Sequence, residues 1–128
     1  MRATPVWILL LASLAGATSV VPISVEEMTR VSERVVHARA EESWSEWNAQ
    51  RTLIHTYTRF RVLETLKGEP AGNIVVRQMG GNAGGYVQRV SGVRGWAPGE
   101  EVVLFLRRKA GVLTVTGLMQ GNFRVRRE

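Results

Sequence analysis

The chain of 128 residues contains neither cysteine nor aspartate, and each absence excludes a kind of chemistry. Without cysteine there is no thiol nucleophile, no thiolate zinc site, no iron–sulfur ligation and no disulfide. Because all 11 acidic residues are glutamate, aspartate-based calcium loops and a Ser-His-Asp triad are excluded as well. We therefore expect a fold that is stabilised by core packing and backbone hydrogen bonds.

The N-terminus has the three parts of a secretory signal peptide. A start that contains Arg2 precedes the apolar run VWILLLASLAGA, which ends in the small residues Ala15-Gly16-Ala17. The run is shorter than the roughly 20 apolar residues of a membrane-spanning helix, although a retained anchor is the alternative. The sequence thus predicts a signal peptide over residues 1–17, a single domain over 18–128, and export to the periplasm or the medium.

The charge balance is basic, with 17 Lys and Arg against 11 Glu and a net charge of +6. Removal of the signal peptide with Arg2 would lower the net charge by one. A basic exported protein tends to meet anionic surfaces such as lipopolysaccharide, acidic polysaccharide or phospholipid. The alternative interpretation is an ordinary soluble protein, since charges of this size are common in small domains.

The pattern of apolar residues predicts one helix followed by strands. Ser24 and Glu27 have the spacing of a capping box and predict a helix over Ser24–Glu33. From Arg34 onward the period changes to two, and no helical crossover follows. We expect a mainly β fold, a closed or partly open antiparallel β-barrel (OB-like) of about six strands. The strands are predicted over 34–43, 52–68, 73–79, 100–108 and 112–119, with a last short one near Phe123.

The strand over 52–68 has the clearest alternation of apolar and polar residues. Such alternation indicates one buried and one solvated side. The predicted buried side consists of Ile54, Thr56, Thr58, Phe60, Val62 and Leu66. From all the strands together we expect buried positions at Phe60, Val62, Leu104, Leu106 and Phe123.

The segment MGGNAGGYVQRVSG, residues 79–92, contains five glycines and suggests a phosphate-binding loop at first sight. Such a loop requires a following helix and a Lys-Ser/Thr pair, and neither is present here. The glycines Gly80–Gly85 are therefore interpreted as a tight connection with positive φ angles. We expect no nucleotide and no cofactor.

Catalytic and metal chemistry have few candidates. His37 and His55 could bind zinc together with Glu41 or Glu42, but the ligand spacing is missing and two unrelated surface histidines are the preferred interpretation. Ser91 could form a triad with His55 and a glutamate, yet no nucleophile elbow surrounds it. We expect no bound metal and no enzyme activity.

A binding surface is the better candidate site. Trp44 and Trp47 lie in the predicted first connection, and Tyr57, Arg59 and Arg61 follow on the outward side of the next strand. Aromatic and arginine side chains are enriched at binding hot spots and stack on sugars or bases. The alternative is that both tryptophans fold back and cover one end of the barrel.

Several pieces of the sequence carry a family resemblance, above all VLETLKG, GEEVVLFL and QGNF. With them, nearly all of residues 25–125 resembles a group of small exported bacterial proteins of unassigned function. The strand order and the glycine-rich crossing also look like OB-type barrels of the netrin and tissue-inhibitor-of-metalloproteinase families, in architecture only. Those inhibitors use an N-terminal cysteine on the protease metal, which this chain lacks.

Together these features predict a non-catalytic exported binding module for a protein or an anionic envelope component. An inhibitor or accessory module of an exported protease is the first alternative, and a small hydrolase is the second.

The signal peptide is testable by mass spectrometry of the expressed protein. We expect the mature N-terminus at Thr18 or within a few residues of it, since Ala15-Gly16-Ala17 is a cleavage sequence. An intact Met1 recovered in the membrane fraction would contradict the prediction.

Overall fold

The computed structural model describes residues 22–126, so the predicted signal peptide lies outside the described residues. Within this range no helix is long and apolar enough to cross a membrane. The elements are α1 (Val25–Val31), β1 (Arg34–Trp47), β2 (Ile54–Lys67), β3 (Asn73–Met79), β4 (Gly81–Ala83), β5 (Tyr86–Gln88), β6 (Glu101–Lys109), β7 (Val112–Val115) and β8 (Asn122–Arg124).

Helix α1 begins where the capping box predicts. The Ser24 hydroxyl accepts a hydrogen bond from the backbone N–H of Glu27 at 3.1 Å, which satisfies one of the unpaired donors of the first turn. One face of the short helix is buried, through Met28, which packs against Val35 and Phe105. The predicted helix is thus confirmed, and it is held by packing because two turns alone are unstable in water.

Six strands form one sheet in the order β1-β2-β3-β7-β6-β8, and β1 also pairs with β6. The strands β1, β2, β3, β7 and β6 therefore form a ring. The neighbours are antiparallel except β3 and β7, which run parallel and pair only at Val76 and Leu113. The mainly β fold with one short helix is confirmed, whereas the expected antiparallel arrangement has this one parallel exception.

Strand β1 makes the ring possible because it pairs on both sides. Its first residues, 34–39, pair with β6, and nearly its whole length pairs with β2. The pairing with β2 shifts register at three places. These are between Val35 and Val36, between His37 and Ala38, and between Ala40 and Glu42. Bulges of this kind bend a strand and increase its twist, which a closed sheet requires.

The ring encloses the main core. Phe60 and Trp96 meet edge to face there, with ring centroids 4.9 Å apart. The Trp96 indole N–H also donates to the Asn122 side chain at 3.0 Å, so its polar atom is satisfied. The buried members of this core are Val36, Ala38, Ala40, Phe60, Ile74, Val76, Trp96, Val102, Leu104, Leu106, Leu113 and Val115.

The predicted end of the first strand is wrong, since β1 continues through Trp47. The polar residues that suggested a connection are paired across the sheet instead. The hydroxyl of Ser43 lies 2.7 Å from that of Thr58, and the hydroxyl of Ser45 lies 2.8 Å from that of Thr56. Because the hydroxyls satisfy each other, the sheet tolerates the polar Thr58 at a buried position.

Two predicted core residues are exposed, Leu66 at 54% and Phe123 at 42%. The pairing of β2 with β3 ends at Arg61, so Leu66 lies on a part of β2 that no third strand covers. Phe123 lies on the short edge strand β8 and contacts Phe105 outside the ring. Thr56 and Val62 are half-buried, while the other predicted positions are buried.

The glycine-rich segment forms the hairpin β4–β5 and not a loop before a helix. Gly80 and Gly81 have φ angles of 96° and 142°, as the tight-connection interpretation requires. A side chain at Gly81 would collide with the hydroxyls of Ser45 and Thr56. The glycine therefore lets the hairpin lie directly against the β1–β2 ladder.

The burial pattern predicts different costs for the same substitution at two leucines. Leu104→Ala should lower the free energy of unfolding by about 2–5 kcal/mol, because Leu104 is fully buried in the ring. Leu66→Ala, at an exposed position, should lower it by less than about 1 kcal/mol. Urea denaturation measures both values, and equal costs would contradict the observed core.

Candidate functional site

One row of side chains crosses the outer face of the ring from strand to strand. Trp44 lies opposite Tyr57, and Tyr57 lies opposite Arg77. Beyond the parallel pair Val76–Leu113 come Thr114 and, opposite it, Arg107. We call Trp44, Tyr57, Arg77, Thr114 and Arg107 the transverse row; it is aromatic at one end and cationic at the other.

The aromatic end of the transverse row is a stacked pair. The rings of Trp44 and Tyr57 have centroids 5.9 Å apart and an interplanar angle of 14°. Trp44 is 37% exposed, so one face of the pair remains accessible. Two of the predicted site residues are thus brought together on the outside of the sheet, where a ligand ring could stack on them.

Trp47 has different surroundings. It lies on the same side of β1 as Ser43 and Ser45, whose hydroxyls contact Thr58 and Thr56 of β2. Its ring meets Tyr86 of the hairpin edge to face at 5.5 Å, and the Arg51 guanidinium lies 5.4 Å from its centroid. The structure therefore separates the two tryptophans: Trp44 belongs to the outer face, and Trp47 packs beneath the β4–β5 hairpin.

The two predicted arginines lie at one side of the transverse row. Arg59 donates to Glu41 at 3.1 Å and to Glu42 at 2.7 Å. The hydrogen bond to Glu41 and the charge of Glu42 raise the pKa of Arg59, and both acids compensate its charge. Arg61 is exposed and lies opposite Arg39 on β1.

A groove of about 690 Å³ lies at the cationic end, between β3, β7 and the end of β6. Arg77, Arg107 and Lys109 line it, and none of its described lining residues is acidic. Among residues 22–126, no carboxylate lies within ion-pair distance of these three cations. We call this the basic groove. Its other lining residues are His55, Gln78, Met79, Val93, Ala110, Thr114, Val115, Gly117 and Leu118.

The pKa of His55 reflects the positive charge in the basic groove. Burial lowers its pKa, and the positive charge of Arg77 lowers it further, although Glu46 lies opposite on β1. A lowered pKa means that the imidazole is mainly neutral at pH 7 and can accept as well as donate a hydrogen bond. The permanent charge of the basic groove therefore comes from Arg77, Arg107 and Lys109.

Neither the zinc site nor the Ser91 triad considered above is assembled among the described residues. His37 hydrogen-bonds Glu101, and no hydrogen bond joins Ser91 to His55 within residues 22–126. In the same range no three His or Glu side chains are grouped to hold a metal ion.

The three cations of the basic groove were missed by sequence reasoning. Arg77, Arg107 and Lys109 occupy outward positions of strands whose apolar side was the stronger signal. Alternation could have marked each one as solvated. That they lie together depends on the pairing of β3 with β7, which no local pattern reveals.

No protein-family model matches the chain, and no curated protein matches it either. The resemblance to small exported proteins and to OB-type barrels therefore stays a prediction, and the function has to be argued from the geometry.

The proximity of Arg77 to His55 predicts a measurable pKa change. Arg77→Gln should raise the pKa of His55, because removing a nearby positive charge favours the protonated imidazole. NMR titration of the His55 resonances, assigned with His55→Gln, measures the shift. Arg30→Gln, which removes an exposed charge on α1, is the matched control and should leave the His55 titration unchanged. An unchanged titration in Arg77→Gln would contradict the described groove.

Proposed function

We propose that the protein is an exported, non-catalytic binding module whose partner is anionic, either a protein or an envelope component. The observation that carries the proposal is the basic groove, where Arg77, Arg107 and Lys109 lie together without a compensating acid among the described residues. Grouping like charges is unfavourable for the free protein. An anionic partner removes this repulsion, so the arrangement favours binding.

We also propose that the five-stranded ring is a closed, OB-like barrel. An OB-type barrel has five strands in a partly open barrel and uses one face for ligands. The ring β1-β2-β3-β7-β6 supports this assignment, because β1 pairs with β2 on one side and with β6 on the other. Because a fold does not dictate function, the binding argument rests on the side chains alone.

The aromatic end extends the proposed binding face. Trp44 and Tyr57 lie in the same transverse row as Arg77. A partner that contacts both ends of the row therefore touches aromatic side chains and a cation. Aromatic and arginine residues dominate the energetics of many interfaces. Since Arg59 is compensated by Glu41 and Glu42, the attraction comes mainly from the cations of the groove.

An inhibitor or accessory module of an exported protease is the second candidate, and the β4–β5 hairpin favours it. Tyr86 and Val87 are exposed large side chains on this hairpin. Exposed extended segments are a common mode of pairing with another protein's strand. Inhibition of a panel of exported proteases, lost in Tyr86→Ala, would favour this candidate over anion binding. The hydrolase alternative has no comparable observation in its favour.

Salt dependence tests the proposed function. Binding to lipopolysaccharide, polygalacturonate and polyglutamate should weaken as ionic strength rises from about 0.05 to about 0.5 M, because salt screens exposed charges over ~8–10 Å. The double variant Arg77→Gln/Arg107→Gln should bind about three- to tenfold more weakly and with a flatter salt dependence. Trp44→Ala should weaken binding without changing that dependence.

The control is Arg30→Gln, which removes one charge of the same kind from α1 and should keep the parent affinity. Circular dichroism and thermal melting verify that each variant is folded. The proposal is wrong if no probe shows salt-sensitive binding, or if Arg30→Gln weakens binding as much as the double variant Arg77→Gln/Arg107→Gln does.

A further inference from the structure

The basic groove lies where two parallel strands separate. β3 and β7 pair only at Val76 and Leu113. β3 continues through Met79 and β7 through Val115, and residues from both continuations line the groove. The walls of the groove are therefore two strand segments that no longer pair with each other.

Each of these segments is paired on its other side only. The β3 residues Arg77–Met79 pair with His55–Tyr57 of β2, and the β7 residues Thr114 and Val115 pair with β6. A strand paired on one side presents N–H and C=O groups along its free edge. These groups accept an added strand, which is how many extended peptides are recognised.

The length of the free edge suits a short peptide. Three residues of β3 follow the pairing position Val76, which corresponds to about 10 Å of extended chain at ~3.3 Å per residue. The groove volume of about 690 Å³ lies within the range of about 300–1,000 Å³ that is typical of ligand sites. A segment of about six residues, about 20 Å long when extended, would cover the edge and extend beyond it.

The chemistry of the walls indicates which side chains the segment carries. Arg77, Arg107 and Lys109 contribute three positive charges, and Met79 and Leu118 contribute apolar surface. Successive side chains of an extended chain point to opposite sides. Acidic residues at alternate positions of an added strand would therefore lie on the outer face beside Arg77, and the apolar residues between them would lie on the inner face, on the side of the buried Val115.

We infer that the basic groove binds an extended, acidic peptide segment of a partner protein, which adds as a strand to the free edge of β3 after Val76. Glutamate or aspartate side chains of the segment pair with Arg77, Arg107 and Lys109. The inference rests on the proposed function, since it uses the same groove, and it names the partner class. An acidic glycan shares the charge but has no regular row of amides to pair with a strand edge.

The test separates charge from backbone pairing. The probe is a capped hexapeptide of alternating Glu and Val, measured by calorimetry at low salt against the full mature protein. Two isomers carry N-methyl groups on alternate amides, either those of Glu or those of Val, which removes hydrogen-bond donors at constant charge. At least one isomer should bind about tenfold or more weakly than the parent peptide, because donors that pair with the free edge are lost.

Two variants test whether the peptide binds in the basic groove. Arg107→Gln should weaken binding of the parent hexapeptide about threefold or more, whereas Arg30→Gln on α1 should not change it. In hydrogen exchange, the backbone amide of Met79, which points away from β2, should become more protected when the peptide is bound. Melting temperatures equal to the parent's establish that the variants are folded.

Each contrary result has a defined meaning. Equal binding of the parent and both N-methylated peptides overturns the inference and leaves anion binding intact. Binding of polygalacturonate that depends on Arg107, with no binding of the hexapeptide, also overturns it and favours an envelope component. If neither probe binds, both the inference and the proposed function are wrong.

Discussion

The rest of the structure depends on the double pairing of β1. This strand pairs with β2 along nearly all of its length and with β6 over residues 34–39, and only in this way do five strands return to their starting point. The register shifts near Val35, His37 and Ala40 bend it enough to do both. The small buried side chains Ala38 and Ala40 then leave room in the ring for larger core residues such as Phe60 and Trp96.

Ring closure on the opposite side is less complete, and the candidate site follows from that. β3 and β7 meet as a parallel pair at a single position and then separate. The opening lies between outward positions of three strands, so Arg77, Arg107 and Lys109 converge on it. A fully paired seam would have filled this space with ladder hydrogen bonds. The same geometry thus accounts for the groove, its charge and the free strand edge.

Much of the fold was predictable from local patterns. The capping residues of α1, the bounds of β3 and the buried positions Leu104 and Leu106 follow from spacing and alternation. The end of β1 was not predictable, because Ser43 and Ser45 look like connection residues until their hydroxyl partners on β2 are known. Trp44 and Tyr57 were predicted as neighbours, whereas the different side of Trp47 depends on the true length of β1.

The sequence by itself determined the helix, the succession of most strands along the chain, most of the inward apolar positions and the excess of arginine, because these depend on residues close together in the chain. Only the tertiary structure decided which exposed charges share a surface. Arg77 and Arg107 are distant in sequence, and the pairing of β3 with β7 and of β7 with β6 brings them into one row. It also decided that Arg59 is neutralised by Glu41 and Glu42. Register sets both outcomes, and register is a property of paired strands that no single strand contains.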